Sequence, residues 1–386
     1  MIICSKNECC GCGLCAVICP RKAISMQPDA EGFLFPEINT ELCCNCSLCN
    51  KECPVNKANI QTEHPTLEHH CYYAIAADTD TVASASSGGI FPTIARKILE
   101  QGGAVIGGAF DANFNVKLIL VENEKNLEKL KQAKYVQAEI PQDLFGQAEE
   151  VLKNGRRLLF SGTPCQIAAF KNFLKGKEYP DLLLCAEVIC HSVPSPGVWQ
   201  SYLQYLTETN GDRVKSVAFR DKSAGWHKSS LVINYGDKKN SQTHKESPYM
   251  QLFLQGLISR KSCTDCRFKC GYSGADLSLG DFWKLHKIKP ELNNSTGVSM
   301  VITHTPAGET ALHECNVAVL KEFTMDAVKI SNPRFFDSYI PNPKRDKYFE
   351  KFAEYKQKWF APDDFLKKSS KRSLLHKIVA FFKPSK

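Results

Sequence analysis

Cysteine supplies the most visible chemistry in this chain. Nineteen of the 386 residues are cysteines, and eleven of them fall within the first 53. The run Cys9-Cys10-Gly11-Cys12-Gly13-Leu14-Cys15, followed by Cys19-Pro20, returns 34 residues later as Cys43-Cys44-Asn45-Cys46-Ser47-Leu48-Cys49, followed by Cys53-Pro54. In a reducing compartment such density reads as metal ligation and not as disulfides. The two-residue spacings let three thiolates of one tight loop reach one metal assembly, and the three-residue step starts a short helix carrying the fourth away. A pair of zinc knuckles competes with this reading, although zinc sites seldom use such a run. Cys4, Cys10 and Cys44 stand outside the pattern and read as packed or free thiols.

Further candidates follow downstream. In Ser161-Gly162-Thr163-Pro164-Cys165-Gln166, Cys165 stands at a strand-to-helix turn, a place for a thiolate nucleophile or a metal ligand. Cys190-His191 closes an apolar strand, and Cys263 and Cys266 form a C-x2-C pair with Cys270 close behind. Ser84-Ala85-Ser86-Ser87-Gly88-Gly89 precedes a helix, so its amides either cradle a phosphate or simply cap that helix. The chain contains neither G-x-G-x-x-G nor G-x-x-x-x-G-K-[ST], so a Rossmann dinucleotide site and a Walker ATPase are not supported.

The elements that must position these residues alternate in α/β fashion. Ile90, Phe91, Ile94, Ala95, Ile98 and Leu99 have helical spacing, and Gly102-Gly103 ends that helix. Ala104 to Phe110, Leu158 to Phe160 and Leu182 to Ile189 read as buried strands. A helix over Cys165 to Leu174 fits between the last two. Val214 to Phe219 and Leu231 to Tyr235 alternate like antiparallel strands, and Leu277 to Leu279 and Val298 to Thr303 add two more.

Composition narrows the class. The chain is 43% hydrophobic and 23% charged, ordinary for a globular protein of two or three domains. No apolar run approaches the roughly 18 residues of a membrane span, and the start lacks a secretory signal, so a cytoplasmic location is expected. The net charge is +8, and residues 344–386 supply all of it. A nucleic-acid footprint needs a basic stripe on the folded body, so no nucleic-acid partner is expected. The segment from Lys367 to Lys386 joins Lys367, Lys368, Lys371, Arg372, Lys377 and Lys383 to Leu374, Leu375, Ile378, Val379, Phe381 and Phe382. Such a basic amphipathic tail either lies peripherally on the inner face of the membrane or docks on a partner.

Each N-terminal repeat resembles the C-x2-C-x2-C-x3-C-P run of bacterial-type dicluster ferredoxins. That resemblance implies one 4Fe–4S cluster on Cys9, Cys12, Cys15 and Cys53, and a second on Cys43, Cys46, Cys49 and Cys19. From Tyr72 to Thr305 the motifs SSGG, SGTPCQI, ICHSVPSP, FRDK with GW, SCTDC and ADLSLGDFW resemble the coenzyme F420 hydrogenase/dehydrogenase beta-subunit family. This resemblance implies FAD bound without a Rossmann fingerprint, and a third 4Fe–4S cluster near the flavin. Cys263 and Cys266 are its firmest ligands, with Cys165 and Cys190 completing it or Cys270 replacing either. The alternative is a catalytic Cys165 beside a separate C-x2-C redox or zinc pair. Ser87, Gly88 and Gly89 are candidates for the cofactor phosphate. Asp276, Asp281 and Trp283 are candidates for flavin or ribose contacts, or else strand caps and core. His191, whose ordinary pKa lies near neutrality, is the candidate general acid, with Lys222 and His286 as alternatives.

The expected fold is α+β or α/β: an N-terminal dicluster ferredoxin-like domain over 1–56, then a larger mixed α/β flavin-binding domain. A linker covers 57–70, the larger part divides into regions 71–210 and 211–340, and a basic tail spans 341–386. The expected activity is that of an iron–sulfur flavoprotein oxidoreductase. It would relay electrons between ferredoxin or another redox partner protein and FAD, with hydride-type transfer to or from a small-molecule substrate such as a deazaflavin. The alternative is a non-catalytic electron-transfer subunit docking a partner oxidoreductase. A radical S-adenosylmethionine enzyme is disfavoured because C-x3-C-x2-C is absent.

Overall fold

A computed structural model describes residues 3–57, 69–179, 181–292, 294–360 and 362–366. Between the two cysteine runs lies an antiparallel hairpin, β1 (Ile24–Pro28) and β2 (Leu34–Ile38), for which the cysteine pattern gives no signal. The main sheet takes β3 (His70–Ala76), β4 (Ala104–Phe110), β5 (Val116–Val121), β6 (Leu158–Gly162) and β7 (Leu183–Val188) from the first half of the larger part. Next, β8 (Val214–Asp221), β9 (Ser230–Tyr235) and β10 (Lys238–Thr243) form a separate antiparallel sheet. Then β11 (Leu277–Asp281), β12 (Ser299–Thr303) and β13 (Val317–Phe323) return to the main sheet. Its order is β13-β3-β12-β11-β7-β6-β4-β5. Regions 71–210 and 211–340 therefore build one sheet together.

The four central strands β11, β7, β6 and β4 run parallel, while the outer pairings are antiparallel. Their near-continuous apolar runs follow from burial on both faces. One face packs Val105, Leu159, Leu184 and Leu277 against Ile90, Ile94, Ile98 and Leu312 of the helices Ile90–Glu100 and Pro306–His313. The other packs Ile106, Phe160 and Cys185 against the helices Leu144–Lys153 and Pro164–Phe173. The carboxyl ends of all four central strands share one edge, where open α/β sheets take ligands.

The N-terminal segment is built into this body. Leu14 is wholly buried among Ile140, Phe145 and Phe170, and Ile3 and Val55 pack with Ala168 and Phe268. Arg267 pairs with Glu8, and the buried Arg345 pairs with Glu31. At the hairpin turn Gly32 (φ +77) lies so close to the helix Pro196–Asn210 that a Cβ there would stand 2.5 Å from the Gly197 Cα. Only glycine suits both the dihedral and the space.

Residues 341–366 depart from the tail reading. The helix Arg345–Glu354 buries Tyr348 and Phe352, and Phe360 and Phe365 pack onto them, because apolar spacing outweighs the local excess of lysines. The amphipathic stretch 367–386 lies outside the described residues, as do 58–68 of the linker. Among the described residues no helix is long and apolar enough to cross a membrane.

Candidate functional site

The cysteines of the two repeats stand around two separate cavities. The sulfur lining of the first is Cys9, Cys12, Cys15 and Cys53 with Cys4 and Cys10. The second is lined by Cys19, Cys43, Cys46 and Cys49 with Cys44. Each cavity thus takes three cysteines of its quartet from one repeat and the fourth from the other. Gly11 (φ +68) and Gly13 (φ +73) in the first loop correspond to Asn45 (φ +54) and Ser47 (φ +61) in the second. These paired left-handed steps curl each loop so that amides meet sulfurs: Gly11 N–H reaches Cys9, Leu14 reaches Cys12 and Leu48 reaches Cys46. The Ala23 amide donates to Cys19 Sγ at 3.3 Å. Among the described residues no three His, Cys, Asp or Glu side chains close on a single metal ion. The first quartet is mostly buried, whereas Cys46 is exposed. A surface hollow of about 680 Å³, lined by Cys4, Cys9, Cys43, Lys6 and Glu37, opens beside both quartets.

A third set gathers at the carboxyl edge of the main sheet. Cys165 begins the helix Pro164–Phe173, with Thr163 Oγ1 3.2 Å from its sulfur. Cys190 follows β7, and Cys263 and Cys266 belong to the turn at Lys261–Asp265. Burial pushes the Cys190 thiol well up, and Cys263, Cys165 and Cys266 add to the rise. Burial likewise pushes Cys263 up to about 12, again with Cys165 and Cys266 adding. The four sulfurs therefore lie within electrostatic reach of one another. Cys270 is turned elsewhere: at φ +56 its thiol points towards the Phe336 carbonyl, 3.9 Å away. Cys10 takes a part that its place outside the repeat gives no reason to expect, for its thiol bonds both Cys12 and Cys165. It thereby joins the first cavity to the third set.

Beyond lies a concavity of about 350 Å³, lined by Ser84, Lys129, Lys131, Lys134, Phe110 and Phe219 among others. The Lys134 Nζ donates to the carbonyls of Lys131 (2.9 Å) and Gln132 (3.1 Å) and sits 5.8 Å over the Phe110 ring. Burial pulls its pKa down to about 7. Aromatic rings bridge the third cysteine set to this concavity. His191 lies 5.4 Å from Phe253, Phe253 5.3 Å from Tyr135, and Tyr135 5.6 Å from Phe219. His191 Nε2 is buried without a partner among the described residues. Burial, with Arg334 and Lys269 nearby, pulls its pKa down to about 4. This shift favours the neutral ring over the imidazolium expected of a general acid.

The sequence profile for the C terminus of the coenzyme F420 hydrogenase/dehydrogenase beta subunit matches residues 155–327, a stretch containing all four cysteines of the third set. Over that stretch the chain is similar to the beta-subunit family. A search of curated proteins yields no match. Among solved structures, a chain of the F420-reducing NiFe hydrogenase complex from Methanosarcina barkeri is 16% identical, spanning 76% of this chain and 94% of that one with a TM-score of 0.47.

Several of the motifs that carry the resemblance serve the fold directly. Ser87 Oγ donates to the Val298 carbonyl at 2.6 Å, and the Gly88 amide donates to Ser299 Oγ at 3.0 Å. Gly89 (φ +83) caps the helix Ile90–Glu100. The serine hydroxyl and the Gly88 amide are spent on β12 and are not directed to a phosphate. Lys222, expected as a proton donor, gives its ammonium to the carbonyls of Val82, Ser87 and Thr296, so it clamps this loop. Burial pulls its pKa down to about 8. Asp276 accepts from the Cys185 amide (2.7 Å) and Thr305 Oγ1 (2.8 Å), which makes it a strand cap at the edge away from the ligand side. Asp281 accepts from Arg220 Nη2 (2.9 Å) and Trp226 Nε1 (2.8 Å). Trp283 stacks on Trp226 at 5.2 Å beneath that guanidinium, and His286 is exposed near His227.

Arg260, Lys134 and Tyr135 escape sequence reasoning. Arg260 abuts the SCTDC motif, which was its only signal. Lys134 and Tyr135 lie in a segment without motif or clear periodicity.

Proposed function

We propose that this chain is an iron–sulfur flavoprotein oxidoreductase, passing electrons between a ferredoxin-type partner and FAD, with hydride-type transfer to or from a small molecule of the deazaflavin kind. The observation that carries this reading is the succession from a cysteine quartet with Cys46 exposed, through a buried one, across Cys10 to a third set, and on through aromatic rings to a basic, aromatic-walled concavity.

The residues suit the groups this requires. Cys9, Cys12, Cys15 and Cys53, then Cys19, Cys43, Cys46 and Cys49, would each hold a 4Fe–4S cluster. Cys165, Cys190, Cys263 and Cys266 would hold a third. Cavities ringed by four thiols, with amides donating to sulfur, are the surroundings such clusters use. Lys129, Lys131 and Lys134 would face the FAD diphosphate, and Phe110 and Phe219 would wall its rings. When bound, the clusters carry single electrons and the flavin pairs them into a two-electron hydride equivalent.

The protein's own part is spacing, shielding and proton control. The hollow beside Lys6 and Glu37 gives an external donor access at the exposed quartet. Leu14, Phe145 and Phe170 keep water from the buried quartet. The neutral His191 offers Nε2 for one hydrogen bond inside an aromatic wall.

Anaerobic purification with iron, sulfide and flavin quantitation tests the reading. It expects about twelve irons and one FAD per chain. About eight irons would remove the third cluster, and a colourless protein containing zinc would end the proposal. Purified protein that holds flavin yet reduces nothing without a partner enzyme would instead mark an electron-transfer subunit.

A further inference from the structure

We propose that Arg260 is the fixed counter-charge of the first cysteine quartet and holds the potential of a cluster there above that of the second. It is a positioning residue, and the inference rests on the iron–sulfur reading above. The guanidinium is 1% exposed. Its Nε donates to the Cys9 carbonyl (2.7 Å), Nη2 to the Leu34 carbonyl (3.0 Å) and the Cys9 sulfur (3.6 Å), and Nη1 to Gln137 Oε1 (3.1 Å). Its faces lie 4.1 Å from the Phe35 ring centre and 5.3 Å from that of Phe33.

A buried cation needs an anion close by, or its desolvation is not offset. Among the described residues no carboxylate pairs with Arg260. Its hydrogen-bond partners are neutral carbonyl oxygens and the Cys9 sulfur, so the balancing charge must come from the cysteine side. The loop is shaped around the guanidinium: at Gly11 (φ +68) a Cβ would stand 2.8 Å from Arg260 Nη1 and 2.6 Å from Gln137 Nε2. At the second quartet the cation acting on Cys46 is Lys51, which is exposed, so water screens its charge.

A fixed positive charge stabilises the added electron of a cluster, since net charge and hydrogen bonds to sulfur set these potentials. Electrons arriving at the exposed quartet are thereby drawn inward. The step is a single-electron reduction in which no bond forms or breaks.

The test uses the full chain, reconstituted anaerobically and titrated with dithionite under EPR, with Cys46→Ser marking the signal of the exposed cluster. Arg260→Gln should lower the reduction equilibrium of the first cluster at least tenfold, equal to about 59 mV for one electron. Arg260→Lys, which keeps the charge, should lower it by less than half that shift. Gln137→Glu, which sets a carboxylate against the intact guanidinium, should lower it as well, and decides the matter if Arg260→Gln fails to hold iron. The exposed cluster should stay fixed in all three. Unmoved potentials, or equal shifts in the lysine and glutamine variants, overturn the inference while leaving the clusters in place. Wild-type protein without N-terminal clusters overturns it together with the proposed function.

Discussion

Glu187 is the sharpest handle on the buried polar chemistry of the sheet. It is 2% exposed near the end of β7, and its carboxylate accepts from Ser273 and from Ser278 Oγ (2.6 Å). Ser278 Oγ lies 2.7 Å from His304 Nε2, and His304 Nδ1 lies 2.8 Å from His69 Nδ1. Burial pushes the Glu187 pKa up from 4.5 to about 7, against the lowering by Ser273, Ser278 and Lys269. The folded chain therefore binds this proton more tightly than the unfolded one. Its contribution to stability is complete below pH 4.5 and is lost as pH rises through about 7. At about 1.4 kcal/mol per pH unit the loss comes to about 3 kcal/mol. Glu187→Gln imitates the neutral acid, so at pH 8 it should be about 3 kcal/mol more stable than wild type, and at pH 5 by less than about 1 kcal/mol. For 386 residues at roughly 2.1 cal/mol/K each, the pH 8 gain is about 4 °C in Tm. Anaerobic melts followed by circular dichroism at both pH values measure it. The same difference at pH 5 and pH 8, or a variant weaker at both, would refute the reasoning.

Two other outcomes are expected. Cys263→Ser should lower the iron content by about four per chain, whereas Cys270→Ser, whose thiol faces the Phe336 carbonyl, should leave it unchanged; iron assays on both decide which cysteines complete the third set. Gly88→Ala would place a Cβ 2.5 Å from the Ala74 carbonyl oxygen and 2.7 Å from the Ser299 nitrogen, both backbone atoms that no rotamer change relieves. It should cost about 3 kcal/mol or more, read as a lower Tm and faster proteolysis.

The sequence was most readable where chemistry depends on local spacing. Ala104–Phe110 is a strand with the expected bounds, and β6, β7, β9 and the helix after Thr163 lie within two residues of them, because each is a continuous apolar run or a capped turn. β3, β5, β10 and β13 were not foreseen. β10 is largely polar, with Lys238, Lys239 and Asn240, and pairs as an edge where little burial writes a pattern. The functional motifs were legible as clusters of unusual residues but not in their roles. Lys222 and Asp276 carry the same charge whether they face a ligand or clamp a loop, and only long-range partners such as Thr296 and Thr305 distinguish the two. For the same reason Arg260, 251 positions from the Cys9 carbonyl it grips, gave no sign of its neighbour.

The exchange of one cysteine between the two halves of the repeat makes the hairpin β1–β2 more than a spacer. Cys19 sits just before this hairpin and Cys53 well after it, each serving the far cavity. Neither half can be cut out, duplicated or swapped for a foreign copy without leaving both nests one sulfur short. Assembly of the pair is accordingly a single event in the life of the chain, and evolution can tinker with the loops around it only by conserving the handclasp itself.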